Sequence, residues 1–117
     1  MNLDYKKIRY KNEYYAVVSI ESLPVVLDWD DFRVVKSLEK SFRYCNNGFI
    51  SCYHTVKVIP KEVYLHEIIM GLKQRVESRK AQDIPIIHVN RIGLDNRREN
   101  LLYDTTDKKI KKNNKKT

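Results

Sequence analysis

The chain has 117 residues, which suits a single domain, and its 42% of hydrophobic residues suffice for one modest core. Its 23 basic and 15 acidic residues give a formal net charge of +8, which favours a polyanionic partner. No apolar run approaches the length of a membrane span and the first seven residues contain no apolar signal segment. We therefore expect no membrane partner and a location inside a host cell, in cytoplasm or nucleus, or inside a virion.

The first elements predicted along the chain are a strand and a helix. Residues 14–20 are β-branched and aromatic, as in a strand that enters a core, and residues 21–24 are expected to break it. A short apolar run, residues 25–27, leads to acidic residues at 28–31. These acids suit the first turn of a helix, because free N–H groups there favour negative charge. Apolar spacing continues this helix to about Lys40.

A hairpin follows, in which residues 42–45 and 49–53 flank an Asn-Asn-Gly turn, and residues 56–64 extend it with an interruption at Pro60. The hairpin carries both cysteines, Cys45 and Cys52. A disulfide between them is disfavoured in a reducing compartment. With His54 they match no structural zinc spacing and lack a fourth ligand. We interpret them as free thiols on strands.

The chain divides into three regions. Residues 1–64 form the first region, which contains the strands, helix and hairpin described above. Residues 65–107 contain an amphipathic helix over 65–78 and, from residue 84, a strand, a long polar loop, a second strand and a capped helix, which is a ββα unit. Residues 108–117 are a basic tail. The predicted fold class is α+β.

Charge is concentrated near the end of the sequence. From Arg97 onward there are eight Lys or Arg residues against three acids, a net of +5 out of +8. Such a segment suits contact with a polyanion, although a solubilising tail has the same composition. Composition alone does not separate these two possibilities.

The last third contains Ile-Ile-His-Val-Asn at 86–90 and Leu-Asp-Asn-Arg-Arg-Glu-Asn-Leu at 94–101. These two strings resemble the HNH endonuclease family, especially its homing-endonuclease branch. The helix opening at 64–71 and the segment 26–32 resemble preceding blocks of that branch, in the same order. The wording of the last third is also similar to HNH-like proteins of large DNA viruses.

The resemblance implies a ββα-metal fold and roles for individual residues. His88, ending the first strand, would be the general base, and Asn100 would lie across the hairpin and hold its imidazole. The pKa of histidine, near neutral pH, suits that task. Residues of the loop and tail would contact the nucleic-acid backbone, namely Asn96, Arg97, Arg98, Lys108, Lys109, Lys111 and Lys112.

Other polar residues of this region have simpler interpretations. Asn90 and Gly93 are expected only to shape the turn. His66 begins a helix, and we expect it to hydrogen-bond locally rather than to reach a metal. Asn100 also suits a residue that simply pins the loop, and His88 exceeds the prior for a packed histidine only through its pairing with Asn100 at this spacing.

The sequence departs from the family pattern at both metal-ligand positions. The ligand before the base is replaced by Ile87, and the ligand on the following helix falls at or near Lys109. Neither offers a lone pair to a divalent cation, so we expect no metal ligands and no cofactor, with Mg²⁺ or a similar ion only if the protein is active. The predicted function is DNA binding with a degenerate nuclease site. The alternatives are an active metal-dependent nicking endonuclease and an interaction protein that reuses the fold.

Overall fold

The computed structural model describes residues 3–56, 58–74 and 85–104. Over these residues the chain forms eight strands, two α-helices and a short 3-10 helix. The strands are β1 (Asp4–Tyr10), β2 (Glu13–Ile20), β3 (Leu23–Asp28), β4 (Arg43–Tyr44), β5 (Ile50–Val56), β6 (Ile59–Tyr64), β7 (Ile86–His88) and β8 (Leu101–Tyr103). The helices are α1 (Trp29–Ser37), α2 (Leu65–Gln74) and the 3-10 helix (Arg98–Asn100). The predicted α+β class is confirmed.

The first sheet is an antiparallel meander in the order β1-β2-β3. The strand predicted at 14–20 is present as β2, whose inward positions Ala16, Val18 and Ile20 are buried by the alternation of side chains along a strand. The predicted break is confined to Glu21 and Ser22, which turn the chain with positive φ. The rest of the expected break and the apolar run after it form β3. Strand β1 was not predicted.

Helix α1 begins where the acidic residues predict and ends at Ser37, before the expected Lys40. Asp30 and Asp31 lie in its first turn, beside free backbone N–H groups. Phe32 and Val35 are buried against the first sheet. The helix is therefore anchored by one apolar face.

The second sheet has the order β4-β5-β6. Its first two strands flank the predicted turn, in which Gly48 has φ +88°, a conformation that favours glycine. Both cysteines are free thiols, and Cys52 is buried in β5. Pro60 does not interrupt the next strand, because it lies near the start of β6, an edge strand, opposite Thr55.

The last part of the described chain is α2 and the β7-β8 pair. The helix predicted over 65–78 is described as far as Gln74, and residues 75–84 lie outside the described residues. The two predicted strands pair antiparallel, with Ile87 opposite Leu102 and His88 opposite Leu101. The predicted final helix and the basic tail also lie outside the described residues.

A single apolar core joins these elements. It draws on both sheets, both helices and β8 through Ala16, Val18, Ile20, Val25, Leu27, Phe32, Val35, Phe42, Ile50, Cys52, Leu65, Ile69, Met70 and Leu101. The loop after β7 also attaches to the free edge of β3. Val26 donates its N–H to Leu94 O (2.9 Å) and accepts from Asn96 N (2.7 Å), forming a parallel bridge. The core and this bridge fix where the β7-β8 loop lies.

Candidate functional site

The candidate site is centred on His88, which ends β7 and is buried with 7% of its surface exposed. Its Nε2 lies 3.0 Å from Oδ1 of Asn96, a residue with no exposed surface. The Asn96 amide NH₂ donates to the backbone oxygen of Gly93, so the amide oxygen faces the ring. Because that oxygen can only accept, Nε2 donates, and the lone pair of the neutral imidazole is on Nδ1.

Asn100 does not hold the imidazole, and the sequence-based assignment of that role is corrected here. Its Oδ1 accepts from Asn90 N, and its Nδ2 donates to Asn90 Oδ1 and to Asp95 O, all at 2.8–2.9 Å. The strand register pairs His88 with Leu101, so side-chain alternation does not direct Asn100 toward the ring. The buried Asn100 side chain pins the loop, as the simpler interpretation expected.

Asn90 does more than shape its turn, which was its predicted role. Besides accepting from Ile92 N, it donates through Nδ2 to Asp95 Oδ2 at 2.7 Å. Asn90 itself is exposed, and it connects Asp95 and Asn100 in one partly buried network. Although burial raises the pKa of Asp95, hydrogen bonds from Arg97 and Asn90 hold this pKa below its usual value.

Aromatic side chains enclose the His88 ring. Phe49 stacks on it with centroids 5.3 Å apart and planes at 15°, and His66 meets it edge-on at 5.0 Å. Tyr64 in turn stacks on His66 at 5.1 Å. These rings come from the β4-β5 turn (Phe49), β6 (Tyr64) and α2 (His66). The packing of these three elements fixes the orientation of the imidazole.

His66 was expected to hydrogen-bond locally, and its Nδ1 makes no such bond within the described part of the chain. This atom is buried and has no hydrogen-bond partner among the described residues. Burial, with a smaller contribution from nearby His88, lowers the pKa of His66 from 6.5 to about 4. The His66 ring is therefore neutral near pH 7 and packs as an aromatic wall of the site.

Three residues expected to contact phosphate are held within the protein. Asn96 is fully buried against His88, and in this position its side chain cannot contact the phosphate backbone of a nucleic acid directly. Arg97 binds Asp95 through Nε (2.8 Å) and NH2 (2.7 Å) and also pairs with Glu99. Arg98 forms a bidentate pair with Asp31, at 2.8 and 2.6 Å.

Both arginines therefore already have carboxylate partners. The sequence did not predict these ion pairs, and the phosphate-contacting role of Arg97 and Arg98 stays a prediction. Lys108, Lys109, Lys111 and Lys112 lie outside the described residues, and their role stays a prediction.

The position expected to carry a metal ligand does not fit a metal ion. Ile87 is 41% exposed and pairs with Leu102 across the ladder, and both of these side chains are hydrocarbon. Asp95, the nearest buried carboxylate in the loop, is already saturated by Asn90 and Arg97. In the described ranges no three His, Cys, Asp or Glu side chains come together as a possible metal site. These residues do not supply the hard oxygen ligands that Mg²⁺ requires.

Sequence reasoning paired His88 with Asn100 and missed Asn96, whose Oδ1 contacts the ring. The available signal was the rigid Asn-Arg-Arg-Glu-Asn string, in which two asparagines compete for the same role. Both asparagines are buried, and the bridge from Val26 to the loop holds the segment in which Asn96 contacts His88. That bridge joins residues far apart in the sequence, which no local pattern reveals.

Comparisons with protein-family models, with curated proteins and with solved structures gave no match to this chain. In the part of the chain that is described, no helix combines the length and apolar composition needed to cross a bilayer. The functional argument therefore rests on the site itself.

Proposed function

We propose that this protein binds DNA and carries an HNH-like hairpin whose metal-dependent cleavage has been lost. One observation carries the proposal: a buried histidine at the end of β7 has its Nε2 held by Asn96, while the adjacent position is the apolar Ile87. The histidine arrangement suits a general base. The neighbouring Ile87 supplies no ligand for the metal ion that would act together with this base.

The binding half of the proposal rests on charge. The chain has a formal net charge of +8, and six lysines follow Asp107 in the last ten residues. Lysines neutralise phosphates and release the counterions condensed on DNA, a contribution that does not depend on sequence. We therefore expect tight, salt-dependent binding with little sequence preference from the tail.

The catalytic half follows from the donor set. Phosphodiester hydrolysis develops negative charge on the departing oxygen. Among the described residues, those around His88 offer no set of ligands for a metal ion that would stabilise this charge. Losing one such electrostatic contribution costs about a thousandfold or more in rate. His88 can still hold a proton acceptor at Nδ1, with Asn96 as its positioning residue. Activation of water alone does not overcome that deficit.

The test is a gel-shift and nicking assay on supercoiled plasmid with Mg²⁺ or Mn²⁺. We expect a mobility shift and intact plasmid after several hours. Nicking abolished by His88→Ala and by chelator would overturn the degenerate-site proposal in favour of an active endonuclease. The absence of any shift at low salt would overturn DNA binding and favour an interaction protein.

A gain-of-function variant tests the same site from the other direction. Ile87→Asp with Lys109→Asn supplies two oxygen donors at the positions where the resemblance puts metal ligands. We expect this double variant to nick plasmid measurably with Mg²⁺, and His88→Ala added to it to abolish nicking. A double variant that binds DNA but never nicks would show that the hairpin lacks more than its ligands.

A further inference from the structure

The hairpin formed by β1 and β2 carries a second group of cations. Lys6, Lys7, Arg9 and Lys11 lie within six residues, and all seven residues of β1 are exposed. Asp4 and Glu13 are the acids at the two ends of this segment. Strand β1 was not predicted, and none of these cations belongs to the predicted binding set.

Within the described residues, no carboxylate pairs with these four cations. Among the described residues, none of the four forms an ion pair, whereas Arg43, Arg97 and Arg98 each bind a carboxylate. Arg9 donates only to the neutral Asn12, at 2.9 Å. The unpaired positive charge of the described residues at this edge is therefore available to an external anion.

Aromatic rings lie beside Lys7, Arg9 and Lys11 and beside the nearby Lys36. Lys7 Nζ lies 4.6 Å from the ring centroids of both Tyr14 and Trp29, and Lys36 of α1 lies 4.7 Å from that of Tyr5. Cation–π contact orders a lysine side chain without removing its charge. Ordered cations among exposed tyrosines are typical of surfaces that follow a nucleic-acid backbone.

The end of this hairpin projects beyond the sheet. Strand β3 pairs with β2 only as far as Tyr15, opposite Asp28. The pairs Arg9–Tyr14 and Tyr10–Glu13 are therefore two-stranded, with Lys11 at the turn. Strand β1 is also an edge strand, so its outer side is open to a partner.

We propose that the β1-β2 hairpin is a second DNA-binding element that contacts the sugar-phosphate backbone through Lys7 and Arg9 on one face, Lys6 on the opposite face and Lys11 at the turn. The inference rests on the proposed DNA binding and deepens it, because it assigns contact to the folded part of the chain. Arg97 and Arg98, by contrast, already bind the carboxylates of Asp95 and Asp31.

The experiment compares two variants with equal loss of charge. The hairpin variant changes Lys6, Arg9 and Lys11 to Gln, and leaves Lys7 on its rings. The control changes Arg33, Lys40 and Lys61 to Gln, which lie on α1, after it and on β6. Binding to a 20-base-pair duplex and to one of its single strands is measured by fluorescence anisotropy across salt concentrations. Circular dichroism checks that both variants are folded.

We expect the hairpin variant to lose more than about tenfold in affinity for the duplex at 0.1 M salt. The slope of log K against log salt should flatten by about 2.5, which corresponds to three lost phosphate contacts. The control should change each quantity by less than half as much. A larger loss on the single strand than on the duplex would assign the surface to unpaired DNA.

Two results would overturn the inference while leaving DNA binding intact. Equal losses in both variants would mean that only net charge matters. Unchanged affinity with new aggregation in the hairpin variant would mean that the lysines only protect an open strand edge. Failure of the wild type to bind any DNA would instead overturn the proposed function itself.

Discussion

Gly93 shows how one missing side chain allows the site to form. A Cβ atom at this position would lie 2.1 Å from Gly48 O and 2.9 Å from Cδ1 of Phe49. The β7-β8 loop therefore packs directly on the β4-β5 turn, and only glycine allows this approach. We expect Gly93→Ala to destabilise the protein by about 3 kcal/mol, because the neighbour it meets is backbone. Urea denaturation measures this.

Gly71 offers a matched control for that substitution. It lies within α2, is exposed, and a Cβ there would meet nothing within 4 Å. Gly71→Ala should stabilise the protein by about 0.5–1 kcal/mol, since alanine loses less backbone entropy in a helix. Destabilisation of similar size by both variants would refute the close-packing argument for Gly93.

His66 makes the stability of the protein depend on pH. Its folded pKa of about 4 lies below the ordinary 6.5, so the unfolded chain takes up the proton first as pH falls. The contribution is complete above pH 6.5 and is lost between pH 6.5 and 4, up to about 3 kcal/mol. His66→Phe should flatten the pH dependence of the unfolding free energy over this window. An unchanged pH dependence in His66→Phe would contradict this assignment.

At the scale of single residues, the sequence predicted a strand that ends at His88, and β7 ends there. It did not predict that Asn96 would hold the ring, nor that the two arginines would be neutralised. The reason is physical: Asp31 and Arg98 are 67 positions apart and meet only in the folded chain. Side-chain chemistry can be read locally, but its partners cannot.

An ion pair links the 3-10 helix to α1, beside a backbone hydrogen bond from Arg98 N to Asp28 Oδ2 (3.4 Å). Arg98 grips Asp31, whose side chain is 1% exposed. Arg98→Ala should destabilise the protein by about 3–5 kcal/mol, because it leaves a buried carboxylate without its bidentate partner. The measurement is the urea midpoint. Replacing both residues, Arg98→Met with Asp31→Leu, should recover most of the loss.

Arg43 provides the comparison for a surface pair. It binds Glu62 at 2.8 Å, but the two side chains are 49% and 33% exposed. Arg43→Ala should therefore cost under about 1 kcal/mol. An equal cost for both single substitutions would contradict the assignment of the Arg98 pair as a structural link.

At the scale of elements, apolar periodicity predicted β2, α1, α2 and the hairpin around Gly48. It missed β1 because Asp-Tyr-Lys-Lys-Ile-Arg-Tyr has no alternating apolar face. This strand is held by its pairing with β2 and by the Tyr5 ring on Phe32 (4.6 Å). An exposed edge strand leaves little hydrophobic pattern in the sequence.

The basic tail should act independently of the folded part of the molecule. If about five phosphates are neutralised, log K should fall with log salt at a slope near −4.5. Deletion of residues 108–117 should flatten this slope markedly without changing the unfolding free energy. Anisotropy titrations from 50 to 200 mM salt measure the slope, and an unchanged slope would show that the tail makes no contact.

For the whole molecule, the sequence predicted the fold class but not the way its regions join. Residues 1–64 and 65–107 were expected as separate regions, and the core combines Leu27 and Phe32 of the first with Leu65 and Leu101 of the second. Hydrophobic patterns indicate which side of an element is buried, but not which other element covers it.

The bridge between Val26 and Asp95 has a consequence for synthesis on the ribosome. These residues are 69 positions apart, so the edge of β3 has no partner until the loop that covers it has been made. At about 5–20 residues per second, that interval lasts roughly 3–14 s. During it the nascent chain exposes an unpaired strand edge, which can pair with another chain. Chains truncated before residue 94 should therefore aggregate, and the His88 pocket should be among the last parts of the protein to form.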